Sequence, residues 1–375
     1  MGRDPYHFRE KILGAVVGGM SSLDIPRLNI PNMERANDFI HGYGYDWDNL
    51  KDREQLWSFH QRAVMLMREV LLADGEVIPG ELAEKDQLGH LGYLLINASM
   101  EPHIDNVTQK WSCAILRVMH VLVLLKNDLS QFYLQEIQAQ ILRPYSKFIQ
   151  KGTASGCVFL GKDSDSEQIN LQRFDVKPLK TSISSVIKLL AKPNTTVLDI
   201  LDRLGVRFVT RDIFDAFRVV RFLVEKGIVS FPHNIPDQAK NTLYPINLFL
   251  EVMESLKGTA DEHDPDKIKL HLETKLSVAE WRAKYTEKEN LFSAVDYQSI
   301  KFITRRRIRV SQAVGSQSEE LSFFYPYEIQ IMDYETYLKT LSGPIAHDKY
   351  KERQIKAARC RVLGLSNLES EKKSK

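Results

Sequence analysis

ILDRLGVRFVTRD, residues 200–212, runs directly into IFDAFRVVRFLVEKG, residues 213–227, and the reading of this pair decides the fold. The first part begins like the end of an amphipathic helix and breaks at Gly205. VRFVT (206–210) is β-branched and aromatic in an alternating pattern, which predicts a strand. The second part places apolar residues three and four apart and is closed by Gly227, which predicts a helix. Asp199 and Asp202 precede the break and Arg207 follows it. An acid before a glycine corner is most often a cap or turn residue. The other reading is a carboxylate at the mouth of a sheet, placed to hold a metal.

Working outward, the C-terminal side adds strands. SIKFITRRRIRV (299–310) and LSFFYPYEIQIMD (321–333) flank SQAVGSQSEE (311–320), a turn-rich stretch that fits a hairpin. TSISSVIKLLA (181–191) predicts a helix. Residues 234–290 read as an insertion: a short helix, the acidic loop GTADEHDPD, and a charged helix around LSVAEWRAKYTEKEN. KGTASGCVFLGKDSDSEQ (151–168) is a linker or an opening hairpin. Upstream, LWSFHQRAVMLMREVLLADG, WSCAILRVMHVLVLLKND and LSQFYLQEIQAQILRPYSKFI all carry helical periodicity, without strand-like alternation. The expected organisation is α+β: an all-helical domain over 1–150, a mixed sheet flanked by helices over 151–365, and a disordered polar tail over 366–375.

Composition narrows the function. At 375 residues, 43% hydrophobic and 27% charged, the chain can build a sizeable core. A net charge of +2 makes no bulk case for nucleic acid, so any such case rests on local clusters. Cys113, Cys157 and Cys360 are far apart, with neither metal-ligand nor disulfide spacing, which suits a reducing cytoplasm. The N-terminus has no apolar signal-peptide region. The longest apolar run, VMHVLVLL (118–125), is too short to span a bilayer, so no membrane partner is expected.

Four pieces can carry chemistry. On the strand YPYEIQIMD, Tyr325, Tyr327, Ile329 and Ile331 share one face, and Pro326, Glu328 and Gln330 the other. A glutamate in so apolar a strand needs a metal, a cation or solvent. The alternative is an edge-strand residue facing water. In TRRRIRV, Lys301, Arg305, Arg307 and Arg309 point one way and Arg306 the other. That cationic stripe suits phosphates, an RNA backbone, or simply water. Lys180, Ser184 and Lys188 form one stripe of a helix. Asp202 is the fourth. Two converging strand-end carboxylates make a common Mg2+ site, which leaves coordination positions for phosphate oxygens.

In this order the pieces resemble the synthetase domain of RelA/SpoT-type alarmone enzymes, of the nucleotidyltransferase superfamily. These transfer pyrophosphate from ATP to the 3′-hydroxyl of GDP or GTP. The matching segments are K180-TSIS-SVI-K188, D202-RLG-V-R207, D296-YQSIK, Y327-EIQIMD and GPIAHDKYK, covering about residues 170–355. The resemblance implies that Asp202 and Glu328 bind Mg2+, with Glu328 also activating the acceptor hydroxyl. It makes Tyr297 the ring that stacks on the acceptor base and Lys180 and Lys188 donor-phosphate contacts. Gln330 follows the catalytic glutamate, and His347 matches a late histidine. A metal, cations and a stacking ring are the parts such a transfer needs. Departures are specific. Pro178 stands where the family has a basic residue, with Lys177 beside it as substitute. Asp296 stands for a glycine, Lys301 for a histidine, and Met332-Asp333 for Arg-Thr. They imply a different acceptor, such as another nucleotide or an RNA 3′ end, or a nucleotide- or RNA-binding regulator that has lost the reaction. A third reading is an interaction protein using its N-terminal helices as partner surface.

Overall fold

The computed structural model describes residues 15, 17, 20–101, 107–126, 133–152, 158–162, 168–177, 182–193, 201–286, 297–314, 317–341 and 347–365. Its helices in chain order are α1 (Met33–Gly42), α2 (Leu50–Leu66), α3 (Gly80–Ala83), α4 (Lys85–Leu88), α5 (Gly92–Asn97), α6 (Val107–Lys126), α7 (Leu134–Ser146), α8 (Ser182–Ala191), α9 (Ile213–Glu225), α10 (Ile246–Leu256), α11 (Pro265–Ala279), α12 (Tyr334–Leu341) and α13 (His347–Leu363). The strands are β1 (Ile149–Lys151), β2 (Val158–Leu160), β3 (Ile169–Lys177), β4 (Gly205–Thr210), β5 (Lys240–Asn241), β6 (Ile300–Val314) and β7 (Gln317–Asp333). The expected α+β class holds.

The chain divides into two compact units, one of residues 1–129, 181–200 and 351–375, the other of 130–180 and 201–350. In this grouping α7 goes with the sheet and α8 with the helical unit.

In the helical unit, α6 is the central element. Ala114, Ile115 and Val118 are fully buried, and it packs on α2, α5 and α8. Helix α2 passes into a π-turn, Met67–Leu71, and the chain reverses at Gly75, whose φ of 83° suits glycine. Arginines tie α13 down. Arg359 donates to the Leu71 carbonyl and to both oxygens of Glu76; Arg361 donates to Asp24 and to the Leu189 and Leu190 carbonyls at the end of α8. Unsatisfied helix-end carbonyls thus receive charged donors.

The sheet unit is a seven-stranded mixed sheet in the order β1-β2-β3-β4-β7-β6-β5. Only β4 and β7 pair in parallel; every other neighbour pair is antiparallel. One face is apolar. Val206, Phe208, Tyr325, Tyr327, Ile329, Ile331, Ile308 and Val310 pack there against Ile137, Ile141 and Tyr145 of α7 and Ala216, Val219, Phe222 and Leu223 of α9. Burying a side chain such as Phe208 contributes roughly 2–3 kcal/mol. Beneath the sheet the Tyr145 and Tyr327 hydroxyls meet at 3.1 Å. Asp212, the last residue of the opening stretch, caps α9 by accepting from the Asp215 amide at 2.9 Å.

One local reading changes, in the insertion, and two features of the sheet add to the sequence reading. INLQRFDVK is a strand that sequence alternation hides, because a register shift between Leu171 and Arg173 breaks the period of two. Leu171, Phe174 and Val176 lie opposite core-face residues of β4, whereas Arg173, Asp175 and Lys177 take the other face. In the insertion the second helix begins at Pro265, capped by Asp264, and ends at Ala279, so it starts inside the acidic loop. It packs on α10 through Leu248, Val252, Ile268 and Leu272. Pro326 is accommodated because Glu328 donates its amide to Leu204 at 2.9 Å. Two residues earlier, position 326 faces the same side, beyond the start of β4, where no ladder bond is lost.

Candidate functional site

The second face of the sheet is polar, and register builds the site there. Lys177 lies opposite Gly205, Gly205 opposite Glu328, and Ile303 opposite Glu328 on the far side. One step on, Asp175, Arg207, Gln330 and Lys301 form the next row. Two adjacent rows thus gather two carboxylates, two lysines, an arginine and an amide onto the same patch of sheet.

Glu328 is 3% exposed and central within its sheet, so the edge-strand alternative does not hold. Its carboxylate is held from both sides. The Lys177 ammonium pairs with Oε1 and the Lys301 ammonium with Oε2. Beside it, Arg207 donates through Nε to Gln330 Oε1 at 3.0 Å, and the Gln330 amide donates to the Tyr297 hydroxyl.

Gly205 makes this closeness possible. A Cβ there would stand 3.0 Å from the Glu328 carbonyl oxygen and 3.2 Å from Lys177 Cδ. Its φ is not positive, so the glycine serves close approach rather than an unusual backbone turn.

The electrostatics follow from three cations around few anions in a buried setting. Burial lowers the Lys177 ammonium most; Lys301 and Arg207 push the same way and Glu328 only partly offsets them, leaving it at about 8. Burial also works against the Lys301 charge, but the Glu328 and Asp202 carboxylates outweigh it and hold that lysine above its ordinary value. Burial raises the Tyr297 hydroxyl, while Arg207 and Lys301 pull it back. The pair of lysines is asymmetric: Lys301 keeps its proton, and Lys177 is the one ready to lose it.

The expected residues separate into groups. Asp202 precedes β4 and its charge is felt at Lys301, so it and Glu328 act on one ammonium. Lys177, Arg207, Tyr297, Lys301 and Gln330 join Glu328 directly or through one partner. Arg305 and Arg307 share the face but are exposed farther along β6, about 14 and 20 Å from Lys301 at roughly 3.4 Å per residue. Ser184 and Lys188 lie on α8, in the helical unit. Lys180, Pro178, Asp199 and Asp296 fall outside the described residues, as does the side chain of His347, which opens α13. Sequence reading missed Arg173 and Tyr337: Tyr337 packs on Val209 and Met332, and the Arg173 guanidinium lies 5.7 Å from its ring centroid. The unread strand β3 carried that signal.

A divalent ion does not fit Glu328 as it stands, because both oxygens already carry a lysine ammonium and a further cation would be repelled. Among the described residues no group of three or more His, Cys, Asp or Glu side chains could hold a metal ion. Nor is any helix among them long and apolar enough to cross a membrane. No family model matches the chain, and no curated protein matches it.

Proposed function

We propose that the sheet unit binds the phosphates of a nucleotide at the Lys177–Glu328–Lys301 cluster, on a sheet of the alarmone-synthetase type, as a regulatory or sensing site that does not transfer pyrophosphate. The observation that carries this reading is the double occupation of Glu328 by lysines. A phosphate entering the cluster shares the two ammonium groups, which stay on the Glu328 carboxylate. Arg207 supplies a further charged donor, and Tyr297 a ring for the base. The carboxylate, meanwhile, stays neutralised instead of serving as base or metal ligand.

The test is calorimetric titration of the full chain with ATP, ADP, GTP and GDP, in Mg2+ and in EDTA, with AMP release measured in parallel. Binding of at least one nucleotide that survives EDTA, without AMP, is the expected result. Absence of binding by all four overturns it.

A second reading, Mg2+-dependent pyrophosphate transfer from ATP to a nucleotide or RNA 3′ end, is favoured by one observation: Asp202 and Glu328 act on the same lysine. AMP released with GDP, GTP or tRNA as acceptor, and abolished in Asp202→Ala, establishes transfer and removes the sensing proposal.

A further inference from the structure

The arginines of β6 are not absorbed by the Glu328 site. Strand β4 pairs only with residues 328–333 of β7, and β5 only with 300 and 301 of β6. Beyond them the β6–β7 hairpin continues as a two-stranded ribbon to Val314 and Gln317. Its inner face is anchored: Ile308, Val310 and Tyr325 are buried in the core. Gln140 of α7 both donates to the Arg309 carbonyl at 2.5 Å and accepts from the Arg309 amide at 3.1 Å. A ribbon held this firmly is a platform rather than a loose arm.

Its outer face carries Arg305, Arg307 and Arg309, all exposed and at every second residue. Directly across from them stand Pro326, Phe324 and Ser322. Opposite charges across a strand pair are the stabilising choice, yet none of the three directly opposed residues is an acid. Arg307 is steadied along the ribbon by donating to Ser322 Oγ at 3.0 Å. The Arg309–Glu320 pair is long, at 3.8 Å between groups more than 60% exposed, and such a pair yields readily to a better anion. The ladder spans about 14 Å with about 7 Å between neighbouring arginines, a spacing that matches successive phosphates of an extended, unstacked strand and not those of a stacked one, which rise by about 3.4 Å.

Aromatic rings interleave with these charges. Phe324 is 50% exposed and meets the His233 ring edge-on at 4.9 Å. Phe231, in the turn packed against β6, is 72% exposed. Cations in line with exposed rings suit a strand whose bases are unstacked, since backbone phosphates take the arginines and a base takes the ring. A duplex would offer the phosphates but leave the rings without a base.

We infer that the outer face of the β6–β7 ribbon binds single-stranded nucleic acid, with Arg305, Arg307 and Arg309 on successive phosphates and Phe324 stacking on a base. This does not rest on the nucleotide reading, because the ribbon residues make no contact with the Lys177–Glu328–Lys301 cluster that the structure records. The test is fluorescence anisotropy of the full chain with a labelled single-stranded RNA of mixed sequence, the same sequence as DNA, and the RNA duplex, over a range of salt. Anionic lipid vesicles serve as a separate arm. Single strands should bind more tightly than duplex, and the RNA and DNA arms show which polynucleotide is preferred. The triple variant R305Q/R307Q/R309Q should weaken single-strand binding at least about tenfold and flatten the log–log salt slope by about 2, three phosphate contacts at roughly 0.7 each. Phe324→Ala should cost about tenfold on the single strand and little on the duplex, with Phe324→Tyr restoring it. Unchanged melting temperatures and unchanged nucleotide titrations of these exposed-site variants would show the fold and the Glu328 cluster intact. No RNA or DNA binding by the parent chain, wild-type affinity in the triple variant, equal affinity for duplex and single strand, or binding to vesicles alone would each overturn the inference.

Discussion

Replacing Glu328 by glutamine should destabilise the sheet unit far more than replacing either lysine that holds it. The carboxylate is 3% exposed with an ammonium on each oxygen, Arg207 stands one row away, and Asp202 is the second anion acting on Lys301. The neutral amide takes away the acid that both lysines share and leaves only Asp202 acting on Lys301. Removing one partner from a buried ion pair costs about 3–5 kcal/mol. Here the cost is capped, because Lys177, already at about 8 beside Glu328, drops further without it and can release its proton. The expected loss is about 3 kcal/mol near pH 7, shrinking by about 1.4 kcal/mol per pH unit only up to about 8, where the variant alone has given up that proton, and level from there to pH 9. Lys301→Met leaves a balanced Lys177–Glu328 pair and should cost only about 1 kcal/mol. Chemical denaturation of each variant at both pH values, following the transition of the sheet unit, measures all of this. A Lys301→Met loss equal to or larger than that of Glu328→Gln, or a Glu328→Gln deficit that does not change with pH, would refute the reasoning.

Other consequences are simpler. Gly205→Ala drives a methyl against the Glu328 carbonyl and Lys177 Cδ, so it should cost about 1–3 kcal/mol and weaken nucleotide binding, as seen by calorimetry and titration on the same sample. In the wild-type chain Lys177 is depressed below its ordinary 10.5, so the unfolded chain retains a proton that the folded chain has lost between about 8 and 10.5. Stability should gain a rising contribution across that window, absent in Lys177→Met, and denaturation from about pH 7.5 to 9.5 shows it. Hydrogen bonding from Arg359 draws Glu76 down from 4.5 to about 2, so its stabilisation is complete above 4.5 and lost as pH falls toward 2. The pair is partly exposed, so Glu76→Gln should cost only about 1 kcal/mol near neutrality and nothing near pH 2, read as melting midpoints.

The layout of the sheet was legible where side-chain period and backbone period agreed. YPYEIQIMD alternates without interruption, so its core face and its Glu328 face could be assigned from residue types alone; both faces are buried, and the core cluster takes Tyr325, Tyr327, Ile329 and Ile331. INLQRFDVK carries the same information with one residue inserted by a bulge, and period-two reading loses it there. That single slip hid the strand delivering Lys177. Charge at the site was harder still. A glutamate in an apolar strand announces that it needs a partner, but the partner comes from register between strands more than a hundred residues apart in sequence. Two of the three chain segments that meet at Glu328 were read as strands, yet only their pairing order decides that a lysine rather than solvent meets the carboxylate.

Strand register also separates two cationic features that look like one in sequence. Lys301, Arg305, Arg307 and Arg309 occupy a single run of β6 and share a face. What divides them is where the neighbouring strands stop. Lys301 lies within the sheet, where β3 and β4 place Lys177, Gly205 and Arg207 beside Glu328, so its charge is used internally. The arginines lie past the last residue that pairs with β4, where no acid stands directly opposite them and the Arg309–Glu320 pair is long and exposed, so their charge is presented outward. Strand length alone therefore converts one basic stretch into a buried counter-charge at one end and an exposed anion-binding ladder at the other. Shortening the ribbon by matched deletion of its outer residues should remove the second property and leave the first, a separation that a uniformly solvated basic face would not produce.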